Sequence, residues 1–359
     1  MQRTDKHSII TSEYAVYFNT LAFQALNEHL KKIAYSKIFI LVDENTKRHC
    51  LPLFFQAVSG SKSMQIIEIV SGEANKNIST CLNVWNTLSD FDADRKSLLI
   101  NLGGGVITDL GGFVASTFKR GIKFINIPST LLAMVDASVG GKTGVDLGAL
   151  KNQIGVINQP EMVLIVTDFL STLEPRQLQS GFAEMLKHGL ILDPQYWKIL
   201  NKVSDFNGLD ESIHKSVQIK NHVVMKDPTE LNLRKVLNFG HTLGHAIESY
   251  FLDSESHELL LHGEAIAIGM VMEAYLSYKL TGLPENELTE ITTSFVGRYG
   301  KVEFLNDDIK QILSLLKFDK KNSHGNINFV LLETIGSPKI DVRVPENLLV
   351  EAFAYYAEQ

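Results

Sequence analysis

The chain has 359 residues, 45% hydrophobic and 21% charged, with a net charge of -7 at pH 7. That length suggests two domains, each able to bury a core without disulfide staples. The acidic balance argues against a general nucleic-acid role, which needs a net basic face, and no run approaches the roughly 20 apolar residues of a membrane span.

Met1 to Ile10 carries no apolar h-region, so no signal peptide is expected. Cys50 and Cys81 stand in different segments without CxxC spacing and read as bystander thiols of a reducing compartment. A cytoplasmic protein with no nucleic-acid and no membrane partner is expected.

In the first half, β-rich apolar runs alternate with stretches of helical period. The runs are Lys37 to Val42, Gln65 to Val70, Ser97 to Leu102, Lys123 to Ile127 and Met162 to Val166. Between them lie helical patterns such as Leu21 to Ile33 and Ile78 to Leu88. This alternation predicts a parallel sheet with helices on both faces, and ligands of such sheets bind outside the carboxyl ends of the strands.

Each predicted strand end carries polar or glycine-rich residues: Asp43, the turn Ser71 to Lys76, Gly103-Gly104-Gly105 leading to Asp109, Pro128-Ser129-Thr130, and Thr167-Asp168. Three glycines before a helix let backbone N–H groups approach a phosphate, although the spacing is not G-x-G-x-x-G and the run also reads as a plain tight turn. Asp43 and Glu73 could accept hydrogen bonds from ribose hydroxyls. Asp43 reads equally well as a helix N-cap. Val135 to Asp146 superficially resembles a phosphate-binding P-loop, but Ala137 stands where that motif requires glycine, so a nucleoside triphosphatase is rejected. Lys142, between glycines, reads instead as a cation delivered into a crevice, and Lys151-Asn152 as a second such turn.

After Leu173-Glu174-Pro175 helical periodicity dominates to about Leu316. The boundary is placed at residue 175, giving an α/β domain (1–175) and a mainly α-helical domain (176–359), with the site expected in a cleft between them. Glu184, Lys187 and His188 share one helical face among apolar neighbours, so their charges need partners or a metal. His241 and His245 lie one turn apart, and Leu261-His262-Gly263-Glu264 adds a third histidine. A carboxylate with such histidines is the donor chemistry of a divalent metal site with an open position; the same histidines also read as satisfied core residues. His257, in polar loop-like sequence, competes with His262 for the third place and is not preferred. Lys220 and Arg234 flank a polar stretch before Asn238, and Lys320-Lys321 forms a late basic tip that also reads as a solvated turn.

Taken in series, these motifs resemble the 3-dehydroquinate synthase family, from about Ser71 to Ile335. The likeness is carried by Gly103 to Asp109, Pro128 to Leu132, Val135 to Thr143, Lys151-Asn152, Ala183 to Lys187, Asn238 to His245 and Leu261 to Glu264. Ser129, where threonine is usual, and Thr108, where glycine is frequent, depart from it, and the loop Phe251 to Leu260 is longer than in many relatives. The resemblance implies a Rossmann-like nucleotide-binding domain joined to a helical metal- and substrate-binding domain.

It also implies Zn2+, or Co2+, held by Glu184, His241 and His262. NAD would lie against Asp43; Ser71, Gly72, Glu73, Ala74, Asn75 and Lys76; Gly103, Gly104, Gly105, Val106, Ile107, Thr108 and Asp109; Ser129 and Thr130; Lys142 and Lys151; and Phe169, Leu170, Ser171 and Thr172. Substrate and catalytic groups would be Arg120, Asp136, Lys142, Lys151, Asn152, Lys187, Lys220, Arg234, Asn238, His245 and Lys320, the last preferred to Lys321.

The reaction so implied takes 3-deoxy-D-arabino-heptulosonate 7-phosphate, a small sugar acid phosphate, through hydride removal, phosphate elimination, hydride return and aldol closure, in the shikimate pathway. NAD is not consumed, and a homodimer is the family expectation. Rival readings are another sugar phosphate cyclase of the same fold, a metal-dependent NAD polyol dehydrogenase, and a catalytically dead binding protein.

Overall fold

Apolar runs buried on both faces form the centre of the first half, as a parallel sheet requires. The computed structural model describes residues 8–148, 150–254, 257–316 and 327–359. In chain order its strands are β1 (Ile9–Ile10), β2 (Ala15–Phe18), β3 (Ile38–Asp43), β4 (Gln65–Ile69), β5 (Leu98–Gly103), β6 (Lys123–Pro128), β7 (Lys142–Leu147), β8 (Leu150–Ile157), β9 (Met162–Ile165), β10 (Asn328–Thr334) and β11 (Ser337–Arg343).

Among the described residues, seven of these make one sheet in the order β1-β2-β9-β6-β5-β3-β4. The pairs from β2 to β4 are parallel, and β1 adds an antiparallel edge. Every residue of β5 is buried, because helices cover it on both sides. Phe39, Leu41, Leu99 and Phe124 of the sheet pack with Val84 and Leu88 of the helix Ile78–Asp90 and with Leu110 and Val114 of the helix Gly105–Thr117.

The chain lays β4 on one side of β3, then returns and lays β5 on the other. The point where the strand order reverses therefore falls between β3 and β5, at Asp43 and Gly103. A crevice at such a switch point is where open α/β sheets bind ligands.

Two features escape a reading of apolar runs. β2 is only four residues long, yet Val16 and Phe18 point inward and it pairs in register with β9. β7 and β8 form a hairpin in which Gly144 and Gly155 pass backbone to backbone: a Cβ at Gly144 would meet the Ile154 carbonyl oxygen at 2.5 Å, and one at Gly155 the Thr143 oxygen at 2.3 Å. Glycines required by that approach disguise the segment as turns.

The chain divides into two compact units, Met1–Leu178 with Ile213–Asn221, and Gln179–Ser212 with His222–Gln359. The first unit thus runs three residues past the boundary expected at 175, and the middle of the helix Asp210–Lys226 belongs to it. Helices dominate the second unit, with the β10–β11 hairpin as its sheet component. Among the described residues no helix is long and apolar enough to cross a membrane.

Within the second unit the helices His241–Asp253 and His262–Leu280 meet closely at glycines. A Cβ at Gly269 would stand 2.0 Å from the Gly240 carbonyl oxygen. Gly269→Ala is therefore expected to destabilise this unit by about 1–3 kcal/mol, seen as a lower denaturant midpoint. An unchanged midpoint would contradict the close approach.

Candidate functional site

The first unit gathers its polar strand ends around the β3/β5 switch point. Gly104 caps the helix Gly105–Thr117, and the chain closes this turn with the Ser129 N–H donating to the Gly103 carbonyl at 2.9 Å. Val106, Ile107, Thr108 and Asp109 occupy the first turns of that helix, whose N-terminal N–H groups favour an anion. A Cβ at Gly103 would strike Ile107 at 2.5 Å, and one at Gly104 would meet Thr130 at 3.0 Å, so the turn has no room for larger residues.

Asp43 has a structural role here: it forms a capping box with Thr46, accepting its N–H at 2.8 Å while the Thr46 hydroxyl accepts the Asp43 N–H at 3.0 Å. Its neighbour Glu44, absent from the sequence-based set, accepts from the Ser71 N–H at 2.9 Å and the Ser71 hydroxyl at 2.6 Å, which holds the turn Ser71 to Lys76 in place. Phe169, Leu170, Ser171 and Thr172 form the 3-10 turn Thr167–Thr172 directly after β9.

A network of buried charges adjoins these turns. Lys76 is 4% exposed and donates to Asp109 Oδ2 at 2.6 Å and to Asn152 Oδ1 at 2.7 Å. Lys151 donates to Glu73 Oε1 at 2.8 Å, with Asp146 Oδ2 at 3.8 Å. Burial works against the Lys76 charge, but the carboxylates of Asp109, Glu73 and Asp146 outweigh it and raise the ammonium pKa above its ordinary value. Lys220 donates to the carbonyl of Asp136 at 2.5 Å and to its carboxylate at 2.6 Å. Lys142 is exposed at the start of β7.

Arg120 does not join this group. It is exposed, in the left-handed region (φ 69°), beyond the far end of the helix Gly105–Thr117. Thirteen residues at about 1.5 Å each carry the chain roughly 20 Å from the strand carboxyl ends, to the opposite edge of the sheet.

The second unit holds the carboxylate and the histidines. Glu184 is fully buried on the helix Pro175–Leu192, where apolar neighbours surround it. Its Oε1 lies 3.5 Å from His241 Nε2 and 3.7 Å from His262 Nε2, and its Oε2 is paired with Lys187, itself 1% exposed. His245 joins the cluster, its ring centroid 5.1 Å from that of His241 and 5.8 Å from that of His262.

The outward nitrogens fix the tautomers. His241 Nδ1 faces the Phe239 carbonyl at 3.0 Å, and His262 Nδ1 faces Glu248 Oε2 at 3.1 Å. Both partners only accept, so both Nδ1 atoms donate. In the neutral rings two Nε2 lone pairs then face a carboxylate oxygen at separations too long for hydrogen bonds. A tetrahedral ion with bonds of about 2.0–2.1 Å keeps its donor atoms about 3.3 Å apart. The trio fits a divalent metal in spacing and in chemistry, and His241, His245 and His262 also lie close enough to share one.

His257 turns elsewhere: its Nδ1 meets the Ser254 hydroxyl at 2.9 Å and its Nε2 lies 3.6 Å from Asp308. Arg234 is buried, donating to the Pro228 carbonyl at 2.6 Å, and the Asn238 amide donates to Glu230 at 2.7 Å. Lys320 and Lys321 lie outside the described residues.

Family models for the N-terminal and C-terminal parts of 3-dehydroquinate synthase match residues 66–180 and 181–322. A curated 3-dehydroquinate synthase of Parabacteroides distasonis is 41% identical over 337 residues, covering 93% of this chain and 95% of the relative. That of Thermoanaerobacter pseudethanolicus is 38% identical over 349 residues, covering 94% and 96%. The chain belongs to the 3-dehydroquinate synthase family.

Among solved structures, the fold is similar to 2-deoxy-scyllo-inosose synthase complexed with carbaglucose-6-phosphate, NAD+ and Co2+, with TM-score 0.81, 23% identity, and 98% and 99% of the two chains covered. It is equally similar to the 2-epi-5-epi-valiolone synthase of Streptomyces hygroscopicus subsp. jinggangensis with NAD+ and Zn2+ bound, with TM-score 0.81, 24% identity and the same coverage. At this identity the likeness concerns the fold.

Two carboxylates that the sequence motifs do not single out stand behind this carboxylate–histidine cluster. Glu248 holds the His262 ring, and it follows His241 by seven residues on the same helical face. Glu273, fully buried in the apolar helix His262–Leu280, accepts from the N–H groups of Gly240 (2.7 Å), Thr242 (3.1 Å) and Leu243 (3.2 Å) and so anchors the helix that carries His241 and His245. A lone acid within the run Met270 to Tyr275 was its visible signal.

Glu248→Gln is expected to weaken metal affinity by about 10–100-fold, as loss of an outer-shell carboxylate does elsewhere; competition against a chromophoric chelator measures it, and unchanged affinity would remove Glu248 from the site. Proton linkage gives a second check. Burial disfavours a charged His262, but the Glu248 and Glu184 carboxylates overcome that and push its pKa up to about 10. This pairing stabilises the metal-free protein fully below the ordinary histidine pKa and is lost as pH rises through about 10. Metal added at neutral pH must expel that proton, so affinity should rise with pH by up to about tenfold per unit. Calorimetry in buffers of different ionisation enthalpy reads the proton; a buffer-independent heat would contradict the assignment.

Proposed function

We propose that this protein converts 3-deoxy-D-arabino-heptulosonate 7-phosphate to 3-dehydroquinate and inorganic phosphate, as a carbon–oxygen lyase acting on a phosphate in the shikimate pathway. The observation that carries this reading is the pair of family models running without a break from residue 66 to residue 322, across both the strand-end turns and the carboxylate–imidazole cluster. Curated relatives at 37–41% identity carry that activity in their names. The inosose and valiolone synthases are more distant, at 23–24%. A cytoplasmic setting suits the two free, buried cysteines, whose thiols burial pushes up to about 12, far from reactive. A homodimer is part of the proposal, as the resemblance implies.

When bound, NAD+ supplies a reversible hydride acceptor and the divalent metal polarises a substrate hydroxyl. The first unit's glycine turn and the N-terminus of the helix Gly105–Thr117 bind the pyrophosphate through backbone N–H groups. Glu184, His241 and His262 hold the metal, and Lys187 fixes the orientation of the Glu184 carboxylate. His245, beside the metal donors and half-exposed, is the group able to take or return a proton near neutral pH. Lys142, Lys151 and the Asn152 amide recognise the phosphate, by charge and by N–H donation. Asp136 with Lys220, and Arg234 with Asn238, complete the recognition of the polyol and carboxylate.

Phosphate release from the heptulosonate phosphate, with catalytic NAD+ and Zn2+, tests the reading. One phosphate per substrate is expected with no net NADH, abolished by a chelator and restored by Zn2+. Net NADH from a polyol, or no phosphate, would reject it.

A further inference from the structure

Lys76 and Asn152 lie 76 positions apart in sequence and meet through one hydrogen bond, Lys76 Nζ to Asn152 Oδ1 at 2.7 Å. An ammonium donates and never accepts. The amide oxygen of Asn152 is therefore turned inward to Lys76, and its NH2 is turned the other way. The Asn152 backbone is fixed as well. It sits in the left-handed region (φ 51°), and its N–H donates to Asp146 Oδ1 at 2.6 Å. The Asp146 N–H in turn donates to the Lys76 carbonyl at 2.9 Å, tying the hairpin to the same residue.

Lys76 cannot readily leave this position. It is 4% exposed, and Asp109 Oδ2 takes a second of its protons at 2.6 Å. Among the described residues the Asn152 NH2 has no hydrogen-bond partner, while the residue is partly exposed. The result is a fixed donor facing out beside Lys151. Were the amide to flip, its oxygen would face an incoming anion and repel it.

We propose that Lys76 is a positioning residue: it locks the Asn152 amide so that its NH2 donates to the substrate phosphate. This rests on the phosphate-releasing reading above. Lys76 is buried by its own pairings and acts through Asn152, not by contact. Asp109, at the start of the helix that follows the glycine turn, holds Lys76 in register, so the donor is set by the same turn that forms the nucleotide crevice.

A double-mutant cycle on the NAD- and zinc-loaded protein, with inorganic phosphate as the probe, tests this. Lys76→Met is expected to weaken phosphate binding about tenfold or more, the loss typical of a hydrogen bond to a charged group. In an Asn152→Ala background the same substitution should change it less than about twofold, because the residue it acts through is gone. Equal losses in both backgrounds, or none in either, would overturn the proposal.

Lys76→Met leaves Asp109 without its counter-charge and could fail to fold, so Asn152→Asp is the second variant. Its carboxylate still accepts from Lys76, and the thermal midpoint should hold while phosphate affinity falls at least as far as in Asn152→Ala. Full phosphate affinity in Asn152→Asp would overturn the proposal. If the unsubstituted protein neither binds phosphate nor releases it from the heptulosonate phosphate, the functional reading itself fails, and this assignment with it.

Discussion

The second unit depends on an electrostatic problem that its own side chains leave unfinished. A fully buried carboxylate, Glu184, and the Nε2 atoms of His241 and His262 face one another at 3.5 and 3.7 Å. With both outer nitrogens committed to acceptors, these are three lone pairs pointed at one place. Desolvated acceptors so arranged repel, and only a cation or a proton at their centre reverses the sign. The raised pKa of His262 is the protonic answer to the same problem. The metal is the other answer, and the surrounding structure is built to keep the arrangement open: Lys187 fixes the outer carboxylate oxygen, Glu248 one ring, and Glu273 the start of the helix carrying the others. The close glycine contacts between the two histidine-bearing helices serve the same arrangement, since side chains at Gly240 or Gly269 would push those helices, and the histidines on them, apart.

In the first unit the organising constraint is topological. The reversal of strand order between β3 and β5 opens a crevice, and the two residues that end those strands do different work. Asp43 turns its carboxylate to its own backbone and starts a helix; Gly103 clears space for the next helix to bring its N–H groups forward. Behind them, buried lysines and carboxylates neutralise each other in pairs. Such networks cost desolvation and are weak evidence for stability. Their use here is orientation: each charged group limits what its partner can present to a ligand.

The parallel strands were legible because burial on both faces leaves no polar alternation to confuse the reading; the runs at 37–42, 65–70, 97–102, 123–127 and 162–166 are strands within a residue or so at each end. What escaped did so for physical reasons. β2 is too short to stand out, and the β7–β8 hairpin needs glycines where strands usually need side chains. In the site, the burial of Glu184 was visible in its apolar flanks, and the ambiguity at Asp43 was real, since one carboxylate at a strand end can serve a ribose or a helix cap. Glu44, Glu248 and Glu273 went unread because an acid on a helix usually marks a solvated face. Arg120 entered only through the resemblance, and nothing in its local sequence says on which edge of the sheet it stands.

Motifs report the atoms that touch ligands, because those positions carry unusual residue types at fixed spacing. They are silent on the residues that orient them. Lys76 and Asn152 illustrate this: the resemblance implies a separate ligand contact for each, and neither spacing nor composition relates one to the other. Only the donor-only chemistry of an ammonium, applied to a contact across 76 positions, converts an ambiguous amide into a directed one. The same logic assigns the histidine tautomers from a carbonyl and a carboxylate. In both cases the inference runs from a group with a single hydrogen-bonding role to a neighbour with two, and it fixes the chemistry that the neighbour can offer.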